Sequence, residues 1–123
     1  MRKIAVKSDW KTLEMPEQNE SFILDREFSD RQMQELRKGF IPAEMEDKWF
    51  CYMSGNTLFA HRSCTGFCIY IVEFSPDNHH KVTVNRDPEQ YLEKNIDRAK
   101  EILDRLLDWC HIVRMPDRKN VRV

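Results

Sequence analysis

The sequence predicts an α+β fold: a three- to four-stranded antiparallel meander, a long C-terminal helix packed on the sheet, and a shorter helix preceding it. Three observations carry this expectation. Between Lys48 and Phe74 the chain is rich in aromatic and β-branched residues and is broken at Ser54-Gly55-Asn56 and Thr65-Gly66, as successive hairpins require. From Leu92 to Cys110 apolar positions recur at spacings of three and four, the period of a helix buried on one side. A chain of 123 residues holds one hydrophobic core and not two, so residues 1–123 form one domain.

Residues 1–20 carry the weakest regular signal. Ile4-Ala5-Val6, Trp10, Leu13 and Met15 can pack, but Pro16 and the polar run Glu17 to Glu20 interrupt any element. Ser21 to Glu27 predicts a short strand around Phe22-Ile23-Leu24. Ser29 then opens a helix as N-cap, with Gln32 completing the capping box and Phe28 and Met33 in the staple positions. Gly39 and Ile41-Pro42 end it, because glycine takes the left-handed cap and the residue before proline disfavours helix.

Lys48 to Met53, Thr57 to Ser63 and Phe67 to Phe74 are the three strands of the meander, and His80 to Arg86 pairs as a fourth. Asp87 is the predicted cap of the long helix, with Pro88 in its first position and Gln90 at the capping-box site. Leu92, Ile96, Ala99, Leu103, Leu106 and Cys110 line its buried side, and charged residues fill the other. His111-Ile112-Val113 reads as a last short strand, and Arg114 to Val123 as a basic, fraying end.

Two-residue turns at Gly55-Asn56 and Thr65-Gly66 would place Phe50, His61 and Tyr70 in one cross-strand row. Trp49, Arg62 and Ile69 would then form the next row, on the opposite face. One face carries Phe50, Tyr52, Phe59, His61, Cys68, Tyr70, Val72 and Phe74; the other carries Trp49, Cys51, Met53, Leu58, Ala60, Arg62, Phe67, Ile69 and Ile71. Neither face suits water. The long helix covers one, and the other needs the first helix and N-terminal segment, a ligand pocket or a second copy of the chain. A homodimer through this apolar sheet face is the expectation.

Charge and composition narrow the function classes. Twenty basic residues against 21 acidic ones give a net charge of -1, so no broad electropositive surface for nucleic acid is expected. No apolar run approaches the roughly 18 residues of a membrane span. Met1-Arg2-Lys3 is followed only by Ile4-Ala5-Val6, short of the about 7–15 apolar residues of a secretory leader, which points to the cytoplasm. Cys51, Cys64, Cys68 and Cys110 are accordingly read as reduced. Three glycines supply neither a dinucleotide fingerprint nor a P-loop, and no cofactor is expected. His61, Cys64 and Cys68 match no common zinc spacing, so no metal is expected either. The paired His79-His80 falls in a polar turn and reads as a solvated loop.

The densest polar segments flank the meander: Glu46, Asp47, Lys48 and Trp49 before it, and His61, Arg62, Ser63 and Thr65 at its second turn. In the register above, Lys48 neighbours Ser63 and Trp49 neighbours Arg62, so the two segments meet at one end of the sheet. The arrangement suits a small anionic ligand, with Arg62 as anchor, Trp49 or Tyr70 for stacking and the Thr65 and Gly66 amides for oxygens. The plainer reading is an ion-pair network, Arg62 against Glu46 or Asp47 with Trp49 packed on the guanidinium. A catalytic set is not identified. A Cys64–His61 nucleophile pair lacks a third member, and no anion-binding loop follows Cys64 as a phosphatase would need.

The stretch from Pro42 to Phe50, containing Glu46-Asp47-Lys48-Trp49-Phe50, and the stretch from Leu58 to Tyr70, containing His61-Arg62-Ser63-Cys64-Thr65-Gly66-Phe67-Cys68-Ile69-Tyr70, resemble an uncharacterised family of small bacterial proteins, a domain of unknown function. Val84-Asn85-Arg86-Asp87-Pro88-Glu89-Gln90-Tyr91 resembles the same family's later motif. Cys64 departs from the pattern, which carries a larger residue there. The resemblance implies that the cluster is a family feature and that such segments accompany ADP-ribose-processing domains; it implies no activity. The expected function is a non-catalytic accessory or interaction domain with a polar or anionic ligand pocket. The alternative is a small enzyme acting on a phosphate-bearing or nucleotide-like ligand of the ADP-ribose type. There His61 would be the general acid or base, Glu46 or Asp47 its partner and Arg62 the anion anchor.

Overall fold

The computed structural model describes residues 4–112, and the side chains of residues 4–109. Its centre is an antiparallel sheet of five strands rather than three or four: β1 (Asn19–Asp25), β2 (Trp49–Ser54), β3 (Thr57–Arg62), β4 (Cys68–Glu73) and β5 (His79–Asn85), in the order β1-β5-β4-β3-β2. The meander β2 to β5 forms as expected. The additional strand is the segment around Phe22-Ile23-Leu24, which pairs with β5 from Asn19 opposite Asn85 to Asp25 opposite His79. That pairing joins parts of the chain far apart in sequence, so no turn signal announces it. No helix among the described residues is long and apolar enough to cross a membrane.

Helix α1 (Asp30–Arg37) carries the chain from β1 at one sheet edge to β2 at the other. Its cap is the predicted one: Ser29 Oγ accepts from Gln32 N at 3.1 Å, and Gln32 Oε1 accepts from Ser29 N at 2.9 Å. Gly39 ends it at φ +67°, where a Cβ would lie 2.3 Å from the Cys51 carbonyl oxygen. Only glycine lets the chain pass this close and bridge Phe40 to Cys51.

Helix α2 (Ile96–Ile112) differs from expectation at both ends. Asp87 does not start it. Gln90 N and Tyr91 N both donate to Asp87 O, a single turn that stops there. The reason is Asn85, fully buried, whose Oδ1 accepts from Asp87 N and whose Nδ2 donates to Gln90 Oε1. Both partners of the expected capping box are thereby diverted. Asn95 caps instead, its Oδ1 accepting from Asp97 N and Arg98 N, and Leu92 is left 82% exposed. At the other end His111 and Ile112 continue the helix rather than forming a strand. The side chain of Cys110 and the predicted basic end lie outside the described residues.

Both helices pack on the same face of the sheet. Leu36 of α1 and Ala99, Leu103, Leu106 and Leu107 of α2 bury against Cys51, Leu58, Ala60, Val72, Val82 and Val84. The opposite face, with Phe50 and Tyr52, is covered by the chain's own N-terminal segment: Ala5 and Trp10 pack there together with Ile41 and Phe59. Ala5 N donates to Lys38 O at 2.8 Å, Trp10 Nε1 to Ser63 O at 2.8 Å and Leu13 N to Gly66 O at 2.9 Å. Phe50 and Tyr52 therefore need no second copy to exclude water.

The first hairpin has the predicted register, Trp49 opposite Arg62 and Phe50 opposite His61. The second does not. Pairing passes from Ala60 opposite Tyr70 to His61 opposite Cys68, so Ile69 is an extra residue, a β-bulge. Beyond it every side chain of β4 changes face. Tyr70 and Val72 turn to the helices and Ile71 to the N-terminal segment, while Cys68 keeps the face of His61, as expected, and comes directly opposite it.

Candidate functional site

The predicted cluster forms only in part. Ser63 N donates to Lys48 O at 2.8 Å and Ser63 Oγ to Asp47 O at 2.7 Å, so the two segments do meet at one end of the sheet. The Arg62 guanidinium lies 5.5 Å from the Trp49 ring centroid, as the plainer reading required. The carboxylate partner is missing. Asp47 Oδ2 instead accepts from Ala43 N at 3.0 Å and Glu44 N at 3.1 Å, and among the described residues Arg62 makes no ion pair. Thr65 Oγ1 accepts from Phe67 N within its own turn.

Glu46, Asp47, Lys48 and Trp49 line a groove of about 610 Å³ with Ile102, Arg105, Leu106 and Trp109 of α2. His61 is not there. Strand alternation puts it on the opposite face from its neighbour Arg62, so the proposed acid–base and anion-anchoring residues are separated by the sheet itself.

His61 occupies a site of its own. It is 2% exposed and lines a cavity of about 280 Å³ between the sheet and the N-terminal segment, with Lys7, Thr12, Leu13, Glu14, Met15, Tyr52, Phe59, Cys68 and Ile71. Its Nδ1–H donates to Gly66 O at 2.9 Å. Its Nε2 is sealed from water and, like Arg62 Nε, has no hydrogen-bond partner among the described residues. Burial holds the imidazole's pKa below its ordinary value against the opposing effect of the Gly66 bond, and nearby Lys7 lowers it further. The ring is therefore neutral, with a bare lone pair on Nε2. A buried acceptor left unmet costs about 1–3 kcal/mol, so in native chains such atoms are met by protein, ordered water or a ligand.

The surroundings shape what this nitrogen can do. Phe59, Tyr52 and His61 stand in a row of nearly parallel rings, 4.9 Å and 5.8 Å between successive centroids. Burial pushes the Cys68 thiol up to about 12, so beside His61 it stays protonated and is no nucleophile. Cys64 is exposed and lines a separate depression with Trp10 and Ser63. Among the described residues no three His, Cys, Asp or Glu side chains gather as metal ligands would.

Two histidines expected in a loop are instead on β5. His79 is exposed and paired with Asp25, while His80 is buried with both ring nitrogens used, Nδ1 accepting from Ser75 N and Nε2 donating to Arg26 O. His80 shows what a structural histidine looks like in this chain. His61 differs from it by one missing bond.

The alternation of Phe50, Tyr52, Phe59 and His61 already placed these side chains together. Sequence reasoning named the N-terminal segment as one possible cover of this face; what it missed was the place of Lys7 and Thr12 in the cavity lining. Comparison with protein-family models, curated proteins and solved structures returns no match for this chain.

Proposed function

We propose that this chain is a non-catalytic accessory domain that binds a small molecule between its sheet and its N-terminal segment. One observation carries the reading: a 98% buried, neutral histidine lines a cavity while its acceptor nitrogen has no partner. A ligand that donates to Nε2 meets an acceptor that no described residue meets. The enzyme alternative needs His61 and Arg62 to act on one substrate, and they face opposite sides of the sheet. The thiol beside His61 stays protonated, which also favours binding over nucleophilic chemistry. The free thiols Cys64 and Cys68 fit a cytoplasmic setting.

The test is a thermal-shift and NMR screen of small polar fragments, nucleotides, ADP-ribose and phosphate compounds. Stabilisation with resonance changes at Tyr52, His61 and Leu13 supports the binding reading. Stabilisation mapping to Trp49 and Arg62 moves the site to the other face. The dimer expected from the sequence would use an apolar sheet face, and among the described residues the helices and the N-terminal segment pack on the two faces; a monomer in sedimentation at micromolar concentration removes that proposal.

A further inference from the structure

Resting on the reading of the His61 cavity as a binding site, we propose that its ligand is a neutral, flat heteroaromatic of one or two rings that donates a ring N–H to His61 Nε2. The polarity of the contact follows from the other nitrogen. Because Nδ1–H is committed to Gly66 O, Nε2 can only accept. A carboxylate or phosphate would set lone pair against lone pair. Burial and the nearby Lys7 both oppose positive charge at the ring; Glu14 also lines the cavity, and the ligand proposed is a neutral N–H or O–H donor.

The body of the ligand follows from the walls. Leu13, Met15, Tyr52, Phe59 and Ile71 are apolar or aromatic. Phe59, Tyr52 and His61 add a row of nearly parallel rings to these walls, and an aromatic ligand packs on such rings by offset stacking or edge to face. The size agrees: a cavity of roughly 150 Å³ takes benzene, and this one is about 280 Å³. A fused bicycle fits this volume and sets its apolar faces against those five side chains, with Lys7, Thr12 and Glu14 of the same lining left for its polar edge.

The nitrogen is sealed from water, and Thr12 and Lys7, donors that also line the cavity, make no bond to it. Thr12 to Met15 of the irregular N-terminal segment line the same cavity, tied by Leu13 N to Gly66 O, and binding as proposed requires this segment to yield before a donor reaches Nε2.

The experiment is a titration of the full chain with indole, 1-methylindole and benzofuran, followed by amide and imidazole NMR, repeated with His61→Phe. The expected result is that indole binds about tenfold more tightly than its two analogues, the worth of one buried hydrogen bond, and that His61→Phe binds all three alike. Equal affinities in the unaltered protein overturn the N–H assignment while leaving the cavity a binding site. No binding by any of the three, with Leu13 and Tyr52 resonances unmoved, overturns the cavity itself. If His61→Phe does not fold, the wild-type ratio decides, together with whether the Nε2 resonance moves on adding indole.

Discussion

The His61 imidazole and the Leu13 amide bond to the same oxygen. Gly66 O accepts His61 Nδ1–H at 2.9 Å and Leu13 N–H at 2.9 Å. One carbonyl thus sets the tautomer of the buried histidine and anchors the segment that covers it. Whatever loosens the cover acts on the atom that fixes the ring.

Gly66 is the position where this coupling is most exposed to substitution. Its φ is +85°, and an added Cβ would lie 3.1 Å from Lys11 O in the cover. Gly66→Ala is expected to cost about 1–2 kcal/mol from the left-handed backbone alone, plus the displacement of Lys11. Urea unfolding measures the sum, and hydrogen exchange at Leu13 N reports the loosening, with exchange there rising more than at Tyr52.

His61→Phe separates a binding histidine from a packing one. The change gives up one of the two bonds on Gly66 O but removes an unmet acceptor worth about 1–3 kcal/mol. Stability is expected within about 1 kcal/mol of the original, or higher. Phe50→Ala, which empties a fully buried ring site directly opposite His61 on β2, is expected to cost about 3–5 kcal/mol. A comparable loss for His61→Phe would mean that the histidine is held for structure.

Acid should weaken the fold through His61. Its folded pKa lies below the ordinary 6.5, so between that folded value and 6.5 the unfolded chain binds more protons. The contribution is fully present above 6.5 and is lost as pH falls through this window. His79 has the opposite sign, because its hydrogen bond to Asp25 raises its pKa: that contribution is present at low pH and lost as pH rises through the raised value. The comparison belongs in a His79→Asn background. There, His61→Phe should flatten the fall in stability on acidification.

The start of α2 is tested by its two candidate caps. Asn95→Ala is expected to cost about 1 kcal/mol, because Asp97 N and Arg98 N lose their acceptor. Asp87→Ala should leave the length of α2 unchanged, which amide exchange along residues 96–100 checks directly. Shortening of the helix by the Asp87 change would restore the start that the sequence alone favoured.

Local features were legible and non-local ones were not. The first hairpin could be registered because Gly55, at φ +61°, joins Ser54 to Thr57 in a short turn whose chemistry is written in sequence. The second could not. Phe67 to Phe74 is almost continuously apolar, so no alternation marks the Ile69 bulge that moves Tyr70 to the helix face. Tyr70 there donates to Ala99 O at 2.8 Å and meets the Tyr91 hydroxyl at 3.1 Å, a pairing across layers that no spacing rule reveals. Asp87 and Asn95 both carried cap chemistry, and the choice between them rested on Asn85, a strand residue. The predicted cluster fails on a point the strand alternation already contained: His61 and Arg62, adjacent in sequence, belong to opposite faces, and one pocket cannot take both.

The tautomer of His61 tests the account most directly, and long-range proton–nitrogen NMR of the imidazoles at neutral pH reads it. The expected spectrum has His61 protonated at Nδ1 and bare at Nε2, next to a His80 of the reverse tautomer. A His61 protonated at Nε2, or at both nitrogens, would contradict the account, because the cavity would then hold no waiting acceptor.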